Sequence, residues 1–204
     1  MRVILLLSLL FSPIHAWSSC SRRQALIGSS AWVLSTASVV SADETITPAV
    51  THTVYMDIQI SEKPIQRLEI DLFGKEMPNV VGNFLELCRN NAYAGSSFYR
   101  VLSDFSIQGG AIENSPTTTV DNYSIKHTQR GLVSTGLPNS ADSRFFVQCT
   151  DDAGWADDRY AAFGKVTDAT FNVVKEIEKV PVQPPKNAPK SPVRIVASGL
   201  VREY

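Results

Sequence analysis

From Thr53 onward the chain adopts a period of two, and this alternation constrains its fold more than any other feature. Val54, Met56, Ile58 and Ile60 alternate with Tyr55, Asp57 and Gln59. After a polar turn at Glu62-Lys63-Pro64, Leu68, Ile70 and Leu72 alternate with Arg67, Glu69 and Asp71. Successive side chains on a strand point to opposite faces, so two such runs about a turn predict a hairpin with one buried face.

The period then shifts to that of a helix. Pro78 stands where a first helical turn tolerates proline, and Val80, Val81, Phe84, Leu87 and Cys88 follow at helical spacing until Arg89-Asn90-Asn91. Residues 171–180 repeat the pattern through Val174 and Ile177. Short apolar segments at 97–102, 105–108, 131–134, 144–149 and 161–166, with a last one at 193–201, read as further strands. Residues 181–192 hold five prolines and read as an extended loop. Short strands with two separated helices predict a mainly β fold, a closed antiparallel β-barrel of about eight strands with two capping α-helices.

The 204 residues provide one such domain with sequence to spare. Residues 1–42 contain three of the 19 basic residues (Arg2, Arg22, Arg23) and none of the 20 acidic ones. That leaves 16 against 20 in residues 43–204, a formal charge of −4. A mildly acidic body argues against nucleic-acid binding, which needs a basic patch. Beyond residue 42 no apolar run reaches the roughly 18 residues of a membrane span. Of Cys20, Cys88 and Cys149, only the last two lie in the body, with no CxxC pair and no metal-ligand spacing, so neither a metal nor another cofactor is expected. Two buried reduced thiols and a Cys88–Cys149 bridge are the two readings open for them.

Residues 1–16 (MRVILLLSLLFSPIHA) have the layout of a secretory signal peptide: a basic residue, a short apolar core and a small residue at the end. Trp17 begins a Ser-rich, acid-free stretch, and Arg22-Arg23 opens a second apolar segment ending Val40-Ser41-Ala42. Residues 17–42 therefore resemble a transit piece joined to a twin-arginine export signal. This order is similar to precursors bound for the thylakoid lumen in algae with complex plastids, where phenylalanine is more usual at the position of Trp17. The other reading is a single signal peptide before an unstructured spacer, which gives a secreted or endoplasmic-reticulum protein.

One stretch of the body, Ser97-Phe98-Tyr99-Arg100-Val101-Leu102-Ser103-Asp104-Phe105-Ser106-Ile107-Gln108-Gly109-Gly110, resembles the signature of the cyclophilin family of peptidyl-prolyl cis/trans isomerases. Supporting blocks follow in order, among them Asp71-Leu72-Phe73-Gly74, Lys126-His127-Thr128, Ser143-Arg144-Phe145-Phe146 and Ala162-Phe163-Gly164-Lys165-Val166. The resemblance spans about Thr53 to Val201, essentially the whole body of the chain. It implies the barrel fold, proline-containing polypeptide clients and cyclosporin binding, the last expected to be weak because of the departures described below.

The chemistry suits these residue types. Rotation about an amide faces a barrier of about 18–20 kcal/mol because the nitrogen lone pair is delocalised. For X-Pro the two isomers lie close in energy while exchange stays slow. No nucleophile or metal is required, only a site that favours the twisted amide. Arg100 can aim a permanent donor at the proline nitrogen, whose lone pair is freed as the amide twists. By the family's pattern Phe105 and Phe146 line the proline pocket, Gln108 hydrogen-bonds the substrate backbone, and Trp155 borders the site. Catalytic roles thus fall on Arg100, Phe105 and Gln108.

Several positions depart from the family. Ser106 replaces a frequent methionine and thins the apolar wall. Tyr160 stands for a common histidine. Gly136 and Leu137 take the place of an alanine and an asparagine in a segment, 135–141, about two residues short, which weakens an edge that would bind backbone. Residues 151–154 lengthen the approach to Trp155 by about one residue. Arg144 replaces a glutamine and either adds a second cation to the pocket or pairs with Asp142. With Phe146, Trp155 and Tyr160, the residues Ser106, Gly136, Leu137 and Arg144 complete the expected substrate-binding set. His127 reads as a structural histidine, since no Ser or Cys with a carboxylate is arranged around it. Two functions remain open: a working isomerase with altered preference that assists folding, and a proline-segment binding chaperone with little turnover.

Overall fold

The computed structural model describes residues 47–204. The leader readings, with Cys20, Arg22, Arg23 and the Val40-Ser41-Ala42 end of the second apolar segment, lie outside the described residues. The elements in chain order are β1 (His52–Ile60), β2 (Gln66–Leu72), α1 (Pro78–Arg89), β3 (Phe98–Leu102), β4 (Ser106–Gly109), β5 (Leu132–Leu137), β6 (Ser140–Gln148), β7 (Ala162–Val166), α2 (Phe171–Glu178), β8 (Val182–Gln183), β9 (Ala188–Pro189) and β10 (Val193–Glu203).

Eight strands form one antiparallel sheet in the order β10-β1-β2-β7-β5-β6-β4-β3. The sheet curls until its edges touch, but it is not strictly closed. β3 and β10 meet at a single bridge, Ser97 opposite Arg194. There the Gly95 N–H donates to the Ile195 carbonyl and the Ile195 N–H to the Ser96 carbonyl, both at 2.9 Å. Beyond the bridge the rest of β3 turns to another partner. Residues 181–192, expected as an extended loop, fold into the small β8–β9 hairpin, and the Val101 N–H donates to Asn187 O at 2.9 Å. That hairpin occupies the side of β3 on which a full ladder to β10 would have run.

The alternation seen from Thr53 holds in space. Val54, Met56, Ile58, Leu68, Ile70 and Leu72 are fully buried inside the curl, with Ile107, Leu132, Phe145 and Phe163. Each such side chain contributes about 1.5–3 kcal/mol relative to exposure. Helix α1 buries Val80, Val81, Phe84, Leu85 and Cys88, whereas Leu87 is only half-buried. Phe84 reaches the core through Phe163, with ring centroids 4.9 Å apart, and edge-on to Phe145 at 5.7 Å. The first turn of α1 has no cap of its own. The Asp121 carboxylate accepts the Asn79 and Val80 N–H groups, all at 3.1 Å, and so satisfies orphan donors at the positive end of the helix dipole. No helix among the described residues is long and apolar enough to cross a membrane.

Cys88 and Cys149 are both free and buried, so the bridged reading does not hold. Removal from water pushes both thiols well above the usual range and keeps them protonated.

Candidate active site

The site is laid out by register. Arg100 on β3 lies opposite Gln108 on β4, Gln108 lies opposite Phe146 on β6, and Phe146 lies opposite Ser134 on β5. Residues directly opposed in a ladder project from the same face, so Arg100, Gln108 and Phe146 form a row across three neighbouring strands. Strict alternation from the buried Phe98 would have turned Arg100 inward. Instead the register steps from Phe98–Gly109 to Arg100–Gln108, leaving Tyr99 as an extra residue. This bulge resets the phase and turns both Tyr99 and Arg100 to the surface.

Aromatic side chains wall the row. Phe105 leaves the β3–β4 turn just after Asp104, which sits at φ 55°, and stacks on Trp155 with centroids 5.0 Å apart and planes 13° apart. Trp155 sits on a 3-10 turn, Gly154–Ala156. That turn is anchored by the Ala153 N–H on His127 O at 2.8 Å and the Gly154 N–H on Asp152 Oδ1 at 3.0 Å. Phe146 lies 5.8 Å from Trp155, and Tyr160 meets Phe146 edge-on at 5.5 Å. Phe105 and Trp155 remain 39% and 41% exposed, an unusual cost for large apolar rings that marks a contact surface. With Arg100, Gln108 and Gly136 these rings line a cavity of about 190 Å³, sized for a small ring rather than a large ligand. Among the described residues the Arg100 guanidinium has no hydrogen-bond or ion-pair partner, so its five N–H donors remain unused at the edge of the cavity.

Three expected residues stand outside this cavity. Ser106 is buried opposite Gln148, and among the described residues neither Ser106 Oγ nor Gln148 Oε1 has a hydrogen-bond partner. Leu137 closes the β5–β6 hairpin opposite Ser140. Segment 135–141 is thus a tight hairpin, with Pro138 and a left-handed Asn139 (φ 57°) in the placement of a type II turn. Arg144 takes the second of its two arrangements. Its Nε donates to Asp142 Oδ2 at 2.7 Å, its Nη2 lies 2.6 Å from the same oxygen, and its backbone N–H donates to Asp142 Oδ1 at 2.8 Å. The hydrogen bond to Asp142, only 8% exposed, holds the guanidinium proton more tightly still. That charge is neutralised before any ligand arrives. The backbone of Arg144 instead presses on Gly136, where an added Cβ would lie 2.6 Å from Arg144 Cβ.

The expectation that no hydroxyl and carboxylate surround His127 is overturned. Its Nδ1 lies 2.8 Å from Asp157 Oδ1 and its Nε2 lies 2.8 Å from Ser134 Oγ. Asp157 is thirty residues downstream, and only the fold brings it back. Burial lowers the proton affinity of His127, and the Asp157 hydrogen bond opposes it without overcoming it. The neutral ring therefore donates from Nδ1 to the carboxylate and accepts the Ser134 O–H at Nε2. The order of atoms is that of a nucleophile, base and acid. Ser134 and His127 are nevertheless fully buried, and Phe146 covers the imidazole, so no substrate carbonyl can reach the hydroxyl. The array is structural, as expected for His127, and it supports a wall of the cavity. Among the described residues no group of His, Cys, Asp and Glu is placed to hold a metal.

The family model described as "Cyclophilin type peptidyl-prolyl cis-trans isomerase/CLD" matches residues 55–200. A Rhizopus delemar protein described as peptidyl-prolyl cis-trans isomerase H is 32% identical over 167 residues, covering 72% of this chain and 92% of the relative. The chain belongs to the cyclophilin-type peptidyl-prolyl cis-trans isomerase family. Its activity is isomerisation of the X-Pro bond.

Proposed function

We propose that this isomerase assists protein folding by turning over X-Pro bonds in incompletely folded clients, with Arg100 as the group that favours the twisted amide. The proline ring enters the aromatic box of Phe105, Phe146, Trp155 and Tyr160, and Gln108 holds the neighbouring backbone. As the amide rotates, the proline nitrogen becomes pyramidal and basic, and an Arg100 N–H donates to it. The ground-state planar amide offers no such acceptor, so the contact strengthens toward the transition state. The observation that carries this reading is the Arg100 guanidinium, without a partner among the described residues, directly opposite Gln108 and lining the cavity. It favours turnover over the alternative of a binding chaperone, as does the pairing of Arg144 with Asp142, which keeps that charge out of the aromatic box. The test is exchange of an X-Pro peptide between its isomers: acceleration supports the isomerase, and tight binding without acceleration supports the chaperone. Cyclosporin binding, a general property of the family, is read as weak here because Ser106 and the short 135–141 hairpin alter the walls.

The leader adds a location. The signal peptide at 1–16 and the twin-arginine segment at 17–42 are read as delivering residues 43–204 to the thylakoid lumen of a complex plastid, with secretion or the endoplasmic reticulum as the competing destination.

A further inference from the structure

Asp142 neutralises Arg144, but the three cations that line the clefts along β3 have no such partner. Arg100, Lys186 and Arg194 are exposed, and among the described residues none pairs with a carboxylate. The groove does not end at Arg100. Arg100 and Tyr99 also border a cleft of about 480 Å³ whose far wall is Pro185, Lys186 and Ala188. Tyr99 and Ala188 carry it into a second cleft of about 400 Å³ that reaches Arg194.

Lys186 is held on a docked element rather than a free loop. Its neighbour Asn187, at φ 54°, gives its carbonyl to the Val101 N–H of β3 at 2.9 Å. The Lys190 N–H donates to Pro181 O at 2.8 Å and closes the base of the β8–β9 hairpin. The bulge that turns Arg100 outward also turns out Tyr99, so the same irregularity builds the aromatic bank of this cleft.

We propose that these clefts continue the client site and that Lys186 selects clients carrying an acidic side chain near the proline, an inference that rests on the isomerase reading above. A polypeptide leaving the aromatic box over Arg100 runs extended at about 3.3 Å per residue. It meets an apolar bank of Tyr99 and Pro185 suited to backbone and side-chain carbons. The ammonium of Lys186 lacks a carboxylate of its own, and a client glutamate or aspartate supplies one. The Arg100 donors are directed at the rotating amide, which leaves Lys186 as the discriminating charge in the first cleft and Arg194 in the second. The field is local, because residues 43–204 are acidic overall.

The test uses the full-length protein and peptides in which a single Glu, Gln or Lys is moved outward from an Ala-Pro bond on either side. Both kcat/KM and Kd are measured at low and high salt. At one position or two adjacent ones, Glu should exceed Gln by about threefold to fivefold at low salt, with Lys below both, and salt should shrink the difference. The Glu/Gln ratio should approach one in Lys186→Gln, invert in Lys186→Glu, and stay at the parent value in Lys190→Glu, a charge reversal elsewhere on the same segment. A ratio of one at every position, a ratio that survives Lys186→Glu, or an equal response in Lys190→Glu overturns the subsite. If no peptide is turned over, the isomerase reading fails, and Kd decides the subsite alone. A Glu preference in Kd that Lys186→Glu abolishes keeps it, and a Kd indifferent to charge removes it.

Discussion

The ring of Phe146 lies on the buried imidazole of His127, with centroids 6.2 Å apart and planes 18° apart. One wall of the proline box therefore rests on a titratable group that the fold keeps neutral. The folded form holds a proton on His127 less tightly than the unfolded chain, whose value lies near 6.5. The unfolded chain accordingly takes up the proton first as pH falls. The stability owed to a neutral His127 is complete above about pH 6.5 and is lost as pH falls through the lower folded value. Asp157, held below the usual carboxylate range by its bonds to His127 despite desolvation, adds a second loss at more acidic pH. The unfolding midpoint should decline between about pH 7 and 5, and His127→Gln should flatten that decline. A midpoint indifferent to pH over this range would show that His127 does not couple folding to protonation.

Arg100→Ala should lower kcat/KM on an X-Pro peptide by at least about tenfold, equivalent to about 1.4 kcal/mol of transition-state stabilisation. The guanidinium is exposed and unpaired among the described residues, so the melting temperature should barely move. Retained turnover in a folded variant would remove Arg100 from the mechanism.

Gly136→Ala removes no functional group, yet its Cβ would meet Arg144 Cβ at 2.6 Å and the Arg144 carbonyl carbon at 2.8 Å. The β5–β6 contact must open, at about 1–3 kcal/mol of stability. Because Gly136 also lines the cavity, kcat/KM should fall with it. A variant matching the parent in melting temperature and rate would show that the hairpin yields freely there.

Cys88 and Cys149 should resist alkylation in the native protein at neutral pH and react together once it is denatured, because both thiols are buried and protonated. Reductant should leave the melting temperature unchanged. Mass shifts after timed labelling give the answer, and rapid native labelling of either thiol would contradict the burial.

The mature protein should begin at or near Asp43. Exchange of Arg22 and Arg23 for lysine should stall its last membrane crossing. Sequencing of the purified protein that starts near Trp17 would favour the plain secretory route, and undisturbed delivery of the lysine variant would exclude twin-arginine export.

Local pattern along the chain was enough to place several parts of this molecule. Period two from Thr53 placed β1 and β2 with the correct faces inward, Pro78 placed the start of α1, and the block from Phe98 to Gly110 indicated the family. Helical spacing was read with Leu87 on the apolar face, and only packing against the curled sheet put Leu85 inside in its place. The remaining features depend on contacts between residues far apart in the chain or on breaks in the period. Alternation cannot predict a bulge, so the outward turn of Arg100 became visible only through the register of β3 on β4. The partner of His127 is thirty positions away, and neither residue type carries a mark of that pairing. Arg144 shows the same division: its neighbour Asp142 was plain in the sequence, but only the folded side-chain geometry put the guanidinium on that carboxylate rather than in the pocket. The proline-rich segment 181–192 offered no period to read. Its hairpin docks on β3 beyond the single bridge to β10, where Asn187 O accepts a Val101 N–H that a ladder to β10 does not satisfy.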